Sequence, residues 1–280
     1  MERLPSPGFG TSIDTETGDT PPRIGDWGDD SAGIATAAVA SALAVGYRHI
    51  DTAEMYETER AVGRALELTD TDREAVFLAT KVLPDNLAYE DVLDHARASR
   101  DRLGVDTLDL LYVHWPIRAY DPEETLAAFD ELYEDGEIRH VGLSNFTPEM
   151  LEEALALLDA PVFAHQVECH PLFQQETLRR YARKNDHHLV AYSPLATGAV
   201  TNDPTLRDVA GEYDATPAQV ALAWLDSKET VVPIPCSTTA THIRENYQTR
   251  DLQLDSGALE RIDNIDRNER SIDFPAAPWN

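Results

Sequence analysis

The chain has 280 residues, with 51 acidic against 23 basic side chains and a formal net charge of −28 at pH 7. That sign excludes nucleic acids and anionic membranes as partners, and the length suits one α/β barrel rather than a minimal domain. Only three lysines occur, Lys81, Lys184 and Lys228, which is expected of a halophilic protein whose self-repulsion is screened by concentrated salt.

In chain order, a first strand is expected over Pro7–Thr11, followed by an irregular Gly-, Pro- and Asp-rich stretch from Ser12 to Ser31 that contains Trp27. A helix near 33–45 leads to a strand at Arg48–Asp51, and a helix over 56–68 to a strand at Val76–Lys81. A helix over 89–103 precedes the strand Leu108–His114, and one over 123–135 precedes Ile138–Ser144. Thr147-Pro148-Glu149 sets an N-cap, an N1 proline and an acidic first turn for a helix over 148–158. The strand Val162–Val167, a helix over 174–184, the strand Leu189–Ser193, a helix over 216–227 and the strand Thr230–Ile234 follow. Eight strands alternating with helices predict a parallel sheet that closes as a (β/α)8 TIM barrel. A helix near 256–265 and the tail DFPAAPWN lie outside that count, and no composition shift divides residues 1–280 into a second domain.

Targeting signals are not evident. MERLPSPGFG has neither a basic start nor a signal-peptide core, and the longest uncharged stretch, Ala32 to Gly46, is too short to span a bilayer. Cys169 and Cys236 form no C-x-x-C pair, so a reduced, cytoplasmic protein is expected, as a monomer or small homo-oligomer.

Three expected strands stop on one polar residue each: Asp51, Lys81 and His114, with Tyr56 five residues past the first. Taken singly, Asp51 reads as a helix cap, Tyr56 as a half-buried helix residue and His114 as a core histidine. Lys81 resists that treatment, because the chain has almost dispensed with lysine yet keeps one where an apolar strand ends. Together the four make a proton-transfer set. A phenol titrates near pH 10 and becomes a useful acid–base group when a cation stabilises its anion. Lys81 supplies the cation, Asp51 holds it, and His114 orients a carbonyl oxygen.

GYRHIDTAEMYETERAVGRAL (46–66) closely resembles the principal signature of the aldo-keto reductase family, and Lys81 and His114, the latter in LYVHWP, match the other two members of its catalytic tetrad. The resemblance covers nearly the whole chain and implies reversible NAD(P)H-dependent reduction of a small-molecule aldehyde or ketone, with Tyr56 supplying the proton. It further implies cofactor contacts. GFGT contributes Gly10 and Thr11 beside Asp51; Ser144, Asn145 and Gln166 match the carboxamide-binding residues; Tyr192 matches the ring that stacks on the nicotinamide; Ser193 to Leu195 match the pyrophosphate turn. Ser237, His242, Glu245 and Asn246 align with the adenosine end. Trp115, directly after His114, is the candidate substrate-facing ring, and Trp27 joins it if the long loop folds back over the mouth. No metal is expected: of His165, Glu168 and His170, residues 165 and 168 would fall on opposite faces of a strand. His187 and His188 are expected to be solvated.

Three departures qualify the match. Cys236 and His242 stand where the family has the lysine and arginine that grip the 2′-phosphate of NADPH, so NAD is expected to serve at least as well as NADP. Ser12 replaces a pocket aromatic, and few residues precede GFGT, so the hairpin that plugs the barrel bottom looks shortened. Two other readings of the residues are a Schiff-base aldolase using Lys81 and a cofactor-binding regulatory subunit with little turnover. A lysine kept charged by Asp51 argues against the first, and a complete tetrad against the second.

Overall fold

The computed structural model describes residues 2–12 and 31–280, so Trp27 lies outside the described residues. Eight parallel strands lie side by side in chain order: β1 (Phe9–Gly10), β2 (His49–Asp51), β3 (Phe77–Val82), β4 (Leu110–Val113), β5 (Val141–Ser144), β6 (Val162–Glu168), β7 (His188–Tyr192) and β8 (Val231–Pro233). The edges meet. The amides of Gly8 and Gly10 donate to the carbonyls of Pro233 and Pro235 at 3.0 and 3.1 Å, which closes the sheet into a barrel.

The helices are α1 (Ser31–Val45), α2 (Glu59–Leu68), α3 (Tyr89–Leu103), α4 (Pro122–Glu134), α5 (Pro148–Leu157), α6 (Glu176–Lys184), α7 (Pro204–Glu212), α8 (Pro217–Asp226), α9 (Ala240–Gln248) and α10 (Ser256–Asp263). Asp121, Thr147, Asp203 and Thr216 each cap a helix that starts on proline, and Thr216 completes a capping box with Gln219. Helices α7 and α9 were not expected from apolar periodicity, although Asp203-Pro204 carries the same start signal as Thr147-Pro148.

The core has two parts. The larger fills the space between strands and helices, and the smaller fills the barrel itself with Leu4, Ala79, Leu110, Tyr112, Phe163, Ala164, Val190, Val232 and Ile234. The Tyr112 ring crosses the barrel so closely to β5 that a Cβ at Gly142 would collide with it. Leu4 comes from the segment before β1 and is 1% exposed, so the short stretch in place of the expected hairpin packs into the barrel bottom. It is pinned by His188 Nε2 on the Glu2 carbonyl at 2.8 Å and by Ser6 Oγ donating to Asp226 at 2.6 Å.

The bottom is also where histidine was misjudged. His187 and His188 are buried, not solvated, because β7 pairs on both sides and α6 covers its start. His140 stacks on Phe163 at 3.9 Å, and His188 meets the same ring edge-on at 5.0 Å. Burial lowers the pKa of His49 and His187 to about 4 and that of His165 to about 3.

Candidate active site

At the opposite end of the barrel, the polar strand ends converge. Lys81 Nζ donates to Asp51 Oδ1 and, at 2.7 Å, to the Thr52 carbonyl, while Gln166 Nε2 donates to Asp51 Oδ2 at 2.7 Å. Asp51 is 1% exposed and Lys81 is fully buried, so two opposite charges share a buried site in which each needs the other. Burial pushes the Lys81 ammonium below its ordinary pKa, with Asp51 pulling the other way.

Tyr56 comes to this pair on a short 3₁₀ turn, Glu54–Tyr56, rather than at the start of the next helix; the left-handed Glu57 (φ 54) ends the turn, and α2 begins at Glu59. Glu54 ties the turn to the chain after β3, accepting from the Leu83 amide at 3.0 Å, from Asn86 Nδ2 at 3.1 Å and from His95. Below it, the Thr58 hydroxyl sits 2.9 Å from those of Thr11 and Thr52 and links the ends of β1 and β2. The Tyr56 ring lies 4.9 Å from Lys81 Nζ and 5.5 Å edge-on from the His114 imidazole. Burial pushes the phenol pKa up, the Asp51 charge adds to this, and a hydrogen bond from Ser12 opposes it. The His114 pKa is pushed well below its ordinary value by burial and then by Lys81, which keeps the ring neutral.

A second polar group flanks the first. Asn145, 2% exposed and left-handed at φ 65, donates 3.0 Å bonds to the His114 carbonyl and to Ser144 Oγ, and accepts from the Tyr192 hydroxyl at 2.9 Å. Ser144 Oγ donates to the Gln166 carbonyl at 3.0 Å. Beyond Tyr192 the chain turns through Ser193, Ala196, Thr197 and Gly198, all at positive φ, with Leu195 within the turn. Gly10 packs so tightly that a Cβ there would stand 3.0 Å from the Ile234 carbonyl oxygen. Ser237 caps the approach to α9, accepting from the Thr239 amide at 3.0 Å; Asn246 on α9 is buried, Glu245 half-buried and His242 exposed. The Cys236 thiol pKa is pushed up to about 12 by burial, so it carries no charge.

Trp115, beside His114, is 8% exposed because the carboxyl tail folds onto it: Phe274 packs edge-on at 4.9 Å and Trp279 at 5.7 Å. The tail is anchored by Glu168, whose carboxylate accepts from the amides of Ser271 and Ile272 at 2.6 and 2.9 Å and pairs with His170 at 2.9 Å. His165 instead faces His187, 6.4 Å between rings. Phe274, Trp279 and Glu168 are site-shaping residues that sequence reasoning missed; the aromatic pair in DFPAAPWN was the available signal.

A parallel barrel with a buried acid–base cluster at the carboxyl ends of its strands, beside a preorganised amide and phenol, defines a barrel enzyme site equipped for proton transfer. The aldo/keto reductase family model matches residues 24–267. A 9,11-endoperoxide prostaglandin H2 reductase of Trypanosoma cruzi is 35% identical over 250 residues, covering 88% of each chain. A glyoxal reductase of Bacillus subtilis is 36% identical over 236 residues, covering 84% of this chain and 85% of that one. The solved structure of a Bombyx mori aldo-keto reductase in complex with NADP superposes with a TM-score of 0.86 at 28% identity, over 98% of this chain and 95% of the other. The chain belongs to the aldo/keto reductase family, and the reaction it supports is NAD(P)H-dependent reduction of a carbonyl group.

Proposed function

We propose that this enzyme reduces a small aldehyde or ketone to the alcohol at the mouth formed by Asp51, Tyr56, Lys81 and His114. The observation that carries this reading is the buried Lys81–Asp51 pair beneath the Tyr56 ring, with His114 edge-on to that ring. When bound, the reduced nicotinamide supplies hydride to the carbonyl carbon. Tyr56 stays protonated at neutral pH, because burial raises its pKa, and delivers that proton to the carbonyl oxygen. Lys81 stabilises the phenolate left behind, Asp51 keeps Lys81 in place, and neutral His114 offers an N–H to the same oxygen.

The residues present fit a nicotinamide cofactor. Ser144, Asn145 and Gln166 offer fixed amide and hydroxyl groups for its carboxamide, Tyr192 a ring face, and Gly10 and Thr11 a side-chain-poor wall. The turn at Ser193 and Leu195 suits the pyrophosphate, and Ser237, His242, Glu245 and Asn246 the adenosine. With a neutral Cys236 and an exposed His242 in place of two cations, NADH serves at least as well as NADPH. The net charge of −28 and three lysines suit a monomer or small homo-oligomer in a salt-rich cytoplasm; among the described residues no helix is long and apolar enough to cross a membrane.

The test is turnover of methylglyoxal and 4-nitrobenzaldehyde at molar KCl with each cofactor. Comparable kcat/KM for the two cofactors is expected; a roughly hundredfold preference for NADPH, worth about 2.7 kcal/mol, contradicts the cofactor assignment. No turnover of any carbonyl compound contradicts the reductase reading itself.

A further inference from the structure

Arg270 takes no part in the scheme above. It opens the carboxyl tail, half-buried, with its guanidinium carbon 3.5 Å from the Trp279 ring centroid and 4.5 Å from that of Phe173. Among the described residues it is the one partly buried arginine with neither a hydrogen bond nor an ion pair. Arg73, Arg97, Arg100 and Arg102 reach carboxylates, and Arg48 and Arg179 reach main-chain carbonyls. Acidic side chains outnumber basic ones 51 to 23 in this chain, so a guanidinium left without an oxygen is not a shortage of partners.

The nearest carboxylates are already engaged. Glu168 is taken by His170 and the amides of Ser271 and Ile272, and Asp273 by Trp279 Nε1 and Asn280 Nδ2, both at 2.9 Å. Both acidic groups act on the Arg270 charge from a distance, yet neither accepts a hydrogen bond from it. Through its ring neighbours it borders the proposed mouth. Arg270 and Tyr192 lie close enough to influence each other's ionisation, and Trp279 beneath the guanidinium packs on Trp115, which adjoins His114.

We propose that Arg270 binds a carboxylate on the substrate, so that the enzyme selects oxo acids over neutral aldehydes and ketones of the same size. The proposal rests on the reductase reading and names its substrate class. A guanidinium held against two rings keeps its planar fork oriented, and that fork matches a carboxylate in bidentate fashion. The net charge of −28 would repel such a substrate in dilute buffer. Molar salt shortens that repulsion to about 3 Å, whereas a contact pair survives. The competing role for Arg270 is mechanical, as the clasp that keeps Trp279 over Trp115.

The experiment compares wild type, Arg270→Gln and Arg270→Lys on ω-oxo acids of increasing length and their methyl esters, at molar KCl and saturating cofactor. The expected result is an acid-to-ester ratio of kcat/KM of about tenfold or more for wild type at the best length, carried by KM. That ratio collapses towards one in Arg270→Gln and is partly kept in Arg270→Lys. A wild-type ratio near one, or acid and ester falling together in Arg270→Gln, overturns the proposal and leaves the mechanical role. If no acid or ester is turned over although 4-nitrobenzaldehyde is, tryptophan fluorescence of the cofactor-loaded enzyme titrated with the acids decides: no Arg270-dependent binding overturns it. Failure on 4-nitrobenzaldehyde too would refute the reductase reading, and the same titration would still judge Arg270.

Discussion

Replacing Lys81 by methionine would remove both the cation and its bonds to Asp51 and to the Thr52 carbonyl, leaving Asp51 1% exposed with Gln166 Nε2 as its remaining side-chain donor. An orphaned buried carboxylate costs about 3–5 kcal/mol. For a chain of this length that corresponds to a fall in Tm of roughly 6–20 °C. Removing both charges, as in Lys81→Met combined with Asp51→Leu, should bring stability back to within about 1 kcal/mol of wild type, because the desolvation penalty of the pair vanishes with it. Activity should be lost in both variants. Thermal and denaturant melts in molar KCl provide the assay. A single variant melting within about 2 °C of wild type, or a double variant no more stable than the single, would refute the claim that this pair is kept for chemistry at the expense of stability.

Two further predictions follow from charge. Burial holds His49 and His187 at about 4 and His165 at about 3, so the unfolded chain binds protons that the folded one refuses. Their contribution is fully present above the unfolded pKa of about 6.5 and is lost as pH falls towards 4, at up to about 1.4 kcal/mol per histidine per pH unit. Melting temperatures should hold level from pH 7.5 to about 6.5 and fall from there to 5.5, above the range where most carboxylates titrate, and a flat profile throughout would contradict the burial argument. Restoring the two missing cations with Cys236→Lys and His242→Arg should raise the NADPH-to-NADH ratio of kcat/KM by about tenfold or more, since each charge-assisted bond contributes about 1.5–3 kcal/mol. An unchanged ratio would mean that these positions do not meet the 2′-phosphate.

What was legible in the sequence depended on how local the signal was. The strands that end on Asp51, one residue past Lys81 and one residue before His114 were readable because a buried parallel strand is an apolar run, and one polar residue near its end stands out. Tyr56 was recognised, but its short turn was mistaken for the first turn of α2, because the Glu54 contacts that set the turn come from the chain after β3. Helix α9 escaped notice because THIRENYQ offers little apolar periodicity, and only Ile243 and Asn246 within it are buried. Leu4 and the tail escaped for another reason: their partners are remote in sequence, as Trp279 is from Trp115, and a segment so short has no period to announce such a contact. His187 and His188 looked solvated as a polar pair, yet their burial is set by pairing on both sides of β7.

The most direct test of the central claim is Tyr56→Phe, assayed by single-turnover reduction of 4-nitrobenzaldehyde beside a titration of nicotinamide binding. The ring that packs against His114 and Lys81 remains in this variant, and only the hydroxyl proposed as proton donor is removed. The account predicts a loss of about 10²–10⁴-fold in the chemical step with cofactor affinity retained. A chemical step within about threefold of wild type would contradict it, because the proton would then come from another group.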